Sequence, residues 1–276
     1  MANQSQPQSR RHFLTQSLAT CTAIGTTTLL GPQLFADRIE IAGKIAETDE
    51  THVLAPALKL ASESLKSLDQ LKDYTSIFSK TERIGRNLIH SRMELKLRET
   101  PFSVYVKFLQ PNAGREVLYV EGTNNNYLRV RDVGFASLAG TLSLDPKGNT
   151  AMDGNRYPIT SIGMRNLLIK LVETWLAERA IPGMAVNIFP NTRMDNQTCQ
   201  MIEVSHRQHH PGAKFQLTRL FIDTEHQWPI RLQAFDFPGN RDKEAPLAED
   251  YFYARIQPNV GLTDFDFSTK NPKYRF

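Results

Sequence analysis

Ile89, Ser91, Met93, Leu95 and Leu97 alternate with His90, Arg92, Glu94, Lys96 and Arg98. A period of two predicts a strand with one dry face and one wet face, which is the habit of an antiparallel sheet. Phe102, Val104, Val106 and Phe108 repeat the pattern after Pro101, and Gln110 to Gly114 reads as a turn. Val117, Tyr119, Leu128 and Val130 belong to the next strands. Upstream, Leu54, Ala57, Leu58, Ala61, Leu65 and Leu68 recur at helical spacing, so a first helix is expected to end near Leu71. Gly134 to Pro158 is rich in Gly and Asp and predicts a long irregular loop, either functional or a packed lid. A second helix follows, capped by Thr160 or Ser161, with an apolar stripe of Met164, Leu167, Leu168, Leu171, Val172, Trp175 and Leu176. The second half predicts strands near 184–190, 198–206, 214–222, 229–237 and 249–257, then a tail carrying Phe265, Phe267, Tyr274 and Phe276.

This order predicts an α+β fold. One antiparallel sheet of about eight to ten strands must curl, and two main helices are expected to cover its concave face. Residues 53–276 form a single domain in this reading, and the polar stretch 37–52 is a linker.

The first 36 residues carry an address. Ser9-Arg10-Arg11-His12-Phe13-Leu14 matches the twin-arginine export pattern, and a weakly apolar stretch follows from Leu18 to Leu30. Cleavage is expected after Ala36. Leu18-Ala19-Thr20-Cys21 looks like a lipoprotein box, but Thr20 stands where a smaller residue belongs; Cys21 is read as part of the signal helix, with a lipid anchor as the alternative. The expected location is the periplasm, with the twin-arginine machinery as a partner.

Charge narrows the function. The chain of 276 residues has 33 basic and 29 acidic side chains, a net +4 that loses two charges with Arg10 and Arg11. That is too weak a surplus to predict a nucleic-acid binder. Beyond the N-terminus no run of about 18 apolar residues predicts a transmembrane anchor. Two cysteines exclude a disulfide-dense scaffold, and Cys199 is expected to be packed and inert.

Catalytic signatures such as a nucleophile elbow, a Walker loop, His-Glu-x-x-His or Cys-x-x-Cys do not occur. His206, His209 and His210 form the one histidine cluster and are read as an exposed hairpin turn, with metal binding as the sharper alternative. No metal or cofactor is expected. Arg115, Arg129 and Arg131 could clamp an anionic headgroup, or form a solvated face with cross-strand ion pairs. Phe102, Val104, Val106 and Phe108 on the strand, with Met164, Leu168, Leu171 and Trp175 on the helix, are candidate walls of an interior that is either a solid core or a pocket.

Longer stretches resemble a known family. Asp73 to Arg83, Pro101 to Phe108, Pro111 to Gly122, Leu144 to Gly148 and Arg156 to Thr160 look like an uncharacterised family of exported bacterial proteins, domain of unknown function 1571. More remotely, the element order resembles the periplasmic lipoprotein carriers of the LolA and LolB type. That resemblance implies a half-barrel with a hydrophobic cavity for acyl chains. The long Gly134–Pro158 loop and the three arginines depart from those carriers. The leading expectation is a non-enzymatic carrier or binding protein for a lipid or lipoprotein acyl chain. The alternatives are a cell-envelope structural or interaction protein with a solid core, and an enzyme with an unrecognised site in the 134–158 loop.

Overall fold

Eleven strands pair into one antiparallel sheet among the described residues, 40–194, 197–240 and 242–276 of the computed structural model. The expected leader, with Arg10, Arg11 and Cys21, lies outside them. In chain order the strands are β1 (Asp73–Ile84), β2 (Asn87–Arg98), β3 (Ser103–Gln110), β4 (Glu116–Val120), β5 (Leu128–Arg131), β6 (Thr141–Leu144), β7 (Met184–Met194), β8 (Gln197–His206), β9 (Leu217–Asp223), β10 (Pro229–Phe235) and β11 (Leu247–Pro258). Their spatial order is β6-β5-β4-β3-β2-β1-β11-β10-β9-β8-β7. The chain therefore lays down one wing as a meander, crosses over, and lays down the other wing. The first and last strands meet at the centre, where Phe78 pairs with Tyr253 and Lys80 with Tyr251. The sheet is open, with β6 and β7 at its edges.

The helices are α1 (residues 40–46), α2 (Ala55–Ser67), α3 (Asn149–Met152) and α4 (Met164–Glu178). Two short helices thus add to the expected pair. The stretch anticipated as a linker is helical at 40–46, because Ile41 supplies an apolar anchor that enters the core at 2% exposure. α4 lies against β10 and α2. The Trp175 indole N–H donates to the Thr218 hydroxyl on β9 at 3.0 Å. Buried Arg165 ties the start of α4 to Glu99 (3.1 Å) and Asp69 (3.4 Å).

α4 is not capped by Thr160 or Ser161. Its cap is Gly163, at φ 122°, and its first free N–H groups are satisfied by two core tyrosines. Gly163 N–H donates to Tyr253 Oη (2.9 Å) and Met164 N–H to Tyr74 Oη (3.2 Å). A polar cap was unnecessary because two strands already present hydroxyls to the helix end.

The outer face is not uniformly wet. The tail, with a 3-10 turn at Asp264–Phe267, folds back over β2 to β4. Tyr274 stacks on Tyr105 at 4.0 Å, and Lys96–Asp266 (2.8 Å) and Arg98–Asp264 (2.7 Å) fasten the turn. The tail aromatics thereby cover a patch of sheet that would otherwise expose Tyr105 and Leu118.

Candidate ligand-binding cavity

A cavity of about 360 Å³ opens between the inner face of the sheet, α4 and the segment 150–162. Leu144 of β6 and Leu232 of β10 both line it. These strands are seven places apart in the sheet, about 34 Å if the sheet were flat. A cavity of this size touches both only because the sheet curls around it. The volume falls within the range of small-molecule sites.

Most of the wall is apolar. Phe78, Met93, Val117, Leu128, Val130 and Tyr253 come from the strands, at every second position. α4 divides its stripe in two. Leu167, Leu171 and Thr174 face the cavity, while Met164, Leu168 and Trp175 are packed into the core at 0–1% exposure. Successive residues at three- and four-residue spacing rotate slowly around a helix, so a wide stripe can serve two neighbours.

The other end is polar and tightly paired. Glu82 of β1 accepts from Lys80 Nζ (2.9 Å), Tyr251 Oη (2.6 Å) and the Arg156 backbone N–H (3.0 Å). Glu249 of β11 accepts from Tyr157 Oη (3.0 Å) and pairs with Arg156 Nε (2.9 Å). Burial raises the Glu249 carboxyl above its usual value, against the pull of Lys214 and Arg156. Tyr157 and Tyr251 are raised far above the usual phenol range, first by burial and then by the charge of Glu249. These phenols therefore stay protonated.

Of the residues singled out from sequence, Val106, Phe108, Leu171 and Arg115 line the cavity. Phe102, Val104, Met164, Leu168 and Trp175 sit in the surrounding core at 7% exposure or less. They share the inward face, but neighbouring side chains fill the space in front of them. Arg115 is not free for a headgroup: it forks onto Asp132 through Nε–Oδ1 (2.9 Å) and Nη2–Oδ2 (2.8 Å). That hydrogen bonding holds Asp132 below the usual carboxylate value. Arg129 and Arg131 face away from the cavity, because Leu128 and Val130 take the inward positions of β5. Arg129 borders an outer depression with Arg98 and Phe267.

The histidines divide. His206 is buried, with Nε2 at 2.9 Å from Glu178 Oε2, because it ends β8 pointing inward; His209 and His210 are exposed in the following turn. Among the described residues no cluster of three or more His, Cys, Asp or Glu side chains could hold a metal ion. Cys199 is fully buried, and burial followed by the charge of Asp223 pushes its thiol up to about 11.

The Gly134–Pro158 segment has more structure than expected: a 3-10 turn at Gly134–Ala139, then β6, then α3. Leu142, Leu144, Ala151, Asn155 and Tyr157 line the cavity from it. Sequence reasoning did not find Lys170 and Lys214, which stand at the polar end against the Tyr157 ring. They lie 44 positions apart on different elements, so no spacing signal joins them.

A family model described as protein of unknown function (DUF1571) matches residues 71–276. Among curated proteins no match was found. Several solved structures are similar at low identity. Mycobacterium tuberculosis lipoprotein LppX is 13% identical over 75% of this chain and 98% of its own, with a TM-score of 0.43. An uncharacterized conserved protein from Thermus thermophilus is 9% identical over 77% of this chain and 92% of its own, at 0.42. A LolA superfamily protein from Nitrosomonas europaea is 11% identical over 75% and 97%, at 0.29.

Proposed function

The chain belongs to the DUF1571 family, and we propose that it is an exported, non-enzymatic carrier or binding protein for a hydrophobic ligand, a lipid or the acyl chain of a lipoprotein. The observation that carries this reading is the cavity, whose wall is mostly aliphatic and aromatic, while both buried carboxylates at its polar end are held in internal ion pairs. Each methylene moved from water into such a wall contributes about 0.8 kcal/mol. Ten would contribute about 8 kcal/mol, the free energy of micromolar affinity, before the cost of immobilising the chain. No special motif is needed for that, which fits a sequence whose informative positions are apolar. The Ser9–Leu14 motif supports export by the twin-arginine route into the periplasm.

Native mass spectrometry of the exported protein, followed by titration with a fluorescent fatty acid, tests the reading. A co-purified amphiphile or saturable micromolar binding is expected. A bare protein that binds no fatty acid would reject it.

One observation favours a second reading, an interaction protein of the cell envelope. Phe135 and Leu138, one turn apart in the 3-10 segment, are 92% and 85% exposed. In that reading Phe135→Ser with Leu138→Ser abolishes capture of an envelope partner and leaves fatty-acid binding intact.

A further inference from the structure

Three of the charged pairs around the cavity are closed: Lys80 with Glu82, Arg115 with Asp132, and Arg156 with Glu249. Lys170 and Lys214 remain. Lys170 Nζ lies 4.6 Å from the centre of the Tyr157 ring and Lys214 Nζ lies 5.4 Å from it. Lys214 also donates to Tyr157 Oη at 2.9 Å and sits over the Phe215 ring at 4.8 Å. Both side chains line the cavity, both residues are exposed, and one aromatic ring holds them together.

Two ammonium groups gathered on one ring repel each other, and cation–π contacts offset that only in part. Desolvation of its ammonium, followed by the like charges of Lys170 and Arg156, draws Lys214 below its usual value against the pull of Glu249, although the residue as a whole is exposed. The acids on hand relieve them only in part: Glu249 and Glu178 both draw on the Lys214 charge, and both have other partners. Glu249 is engaged by Arg156 and Tyr157, and Glu178 accepts from the Lys214 backbone N–H (2.7 Å) and faces His206 (2.9 Å). Exposed Asp153 also lines the cavity. An anion placed between the two ammonium groups would gain attraction from both and remove their repulsion.

We infer that Lys170 and Lys214, braced by Tyr157, form the headgroup site for an amphiphile with one carboxylate or phosphate head, whose tail enters the apolar cavity. This deepens the hydrophobic-ligand reading and rests on it. The same ring orients both cations, and Leu167 and Leu171 on α4 continue the path from Lys170 into the apolar wall.

The test displaces a fluorescent fatty acid with dodecanoate, dodecyl phosphate, dodecanol and inorganic phosphate. The parent should prefer dodecanoate and dodecyl phosphate over dodecanol by roughly tenfold at low salt, and the preference should shrink as salt screens it. In Lys170→Gln with Lys214→Gln the preference should fall to near one, and Lys170→Arg with Lys214→Arg should restore it. Circular dichroism melting guards against a folding defect. If dodecanol binds as tightly as dodecanoate in the parent, or if the preference survives in the double Gln variant, the headgroup site is overturned while the apolar cavity stands. If inorganic phosphate competes as well as dodecyl phosphate, the ligand is a free anion and the amphiphile is rejected. If no alkyl compound binds, the hydrophobic-ligand reading fails and takes this inference with it.

Discussion

Glu82 and Glu249 stand directly opposite each other on β1 and β11, both buried at 4% exposure or less. Like charges in register across a sheet are destabilising. Arg156 reconciles them, giving its backbone N–H to one carboxylate and its guanidinium to the other. The cavity-lining segment is thereby fastened to the centre of the sheet by the charges that need neutralising.

Arg156→Gln should cost about 1–3 kcal/mol at neutral pH, and the cost should depend on pH. The folded Glu249 is raised above its unfolded value. Its contribution to stability is therefore whole below the usual glutamate range and is lost as pH rises through the raised value. Arg156 attracts Glu249 only when the latter is ionised. The variant's deficit should shrink in acid and grow as pH rises through and above the usual glutamate range. Urea titrations of both proteins across that range check it, and a flat deficit would show that Arg156 does not act through the charge of Glu249.

Gly163→Ala should destabilise more than Gly183→Ala. Both glycines have positive φ, 122° and 80°. A Cβ at Gly183 meets open space, whereas at Gly163 it meets Leu97 Cδ1 at 3.0 Å. Gly163 must also keep its N–H aimed at Tyr253. Backbone strain alone costs about 1–3 kcal/mol, and the crowded site adds to it. Thermal melts of the two variants, ranked against the parent, decide the point.

The sheet was largely legible because most strands have one apolar face, as in the alternation from Ile89 to Leu97 along β2. β1 was harder. Its inward positions run Tyr74, Ser76, Phe78, Lys80 and Glu82, so three of the five break the apolar alternation, and the last two do so at the polar end of the cavity. The polar groups that line the cavity thus obscured the strand that holds them. The core of α4 was equally plain in its stripe, but the division between Leu171 at the cavity and Leu168 in the core depends on what stands opposite. No single-helix pattern contains that. Lys170 and Lys214 meet only because the chain returns across the molecule between α4 and β9.

The proposal of twin-arginine export rests on Ser9 to Leu14, ahead of the described residues. Replacing Arg10 and Arg11 with Lys should retain the protein in the cytoplasm, since the motif is read by its receptor as paired arginines. Fractionation of cells expressing both forms measures this. Normal export of the Lys–Lys form would show that another route is used.

Val104 and Val106 are two residues apart on β3, share one face of the sheet, and are both at least 98% buried. They differ in what lies in front of them. Val106 lines the cavity and Val104 is enclosed by core side chains. Adding bulk to a filled core costs about 1–3 kcal/mol, whereas bulk entering an existing cavity displaces no protein atoms. Val104→Trp should therefore be clearly destabilised, while Val106→Trp should melt close to the parent. Binding should divide the other way. The indole at Val106 occupies space that the ligand needs, so Val106→Trp should lose a fluorescent fatty acid that the parent binds. Equal destabilisation by both substitutions, measured by urea titration, would mean that the space in front of Val106 cannot receive a side chain. The cavity would then be unavailable to a ligand of similar bulk, and the carrier reading would fall.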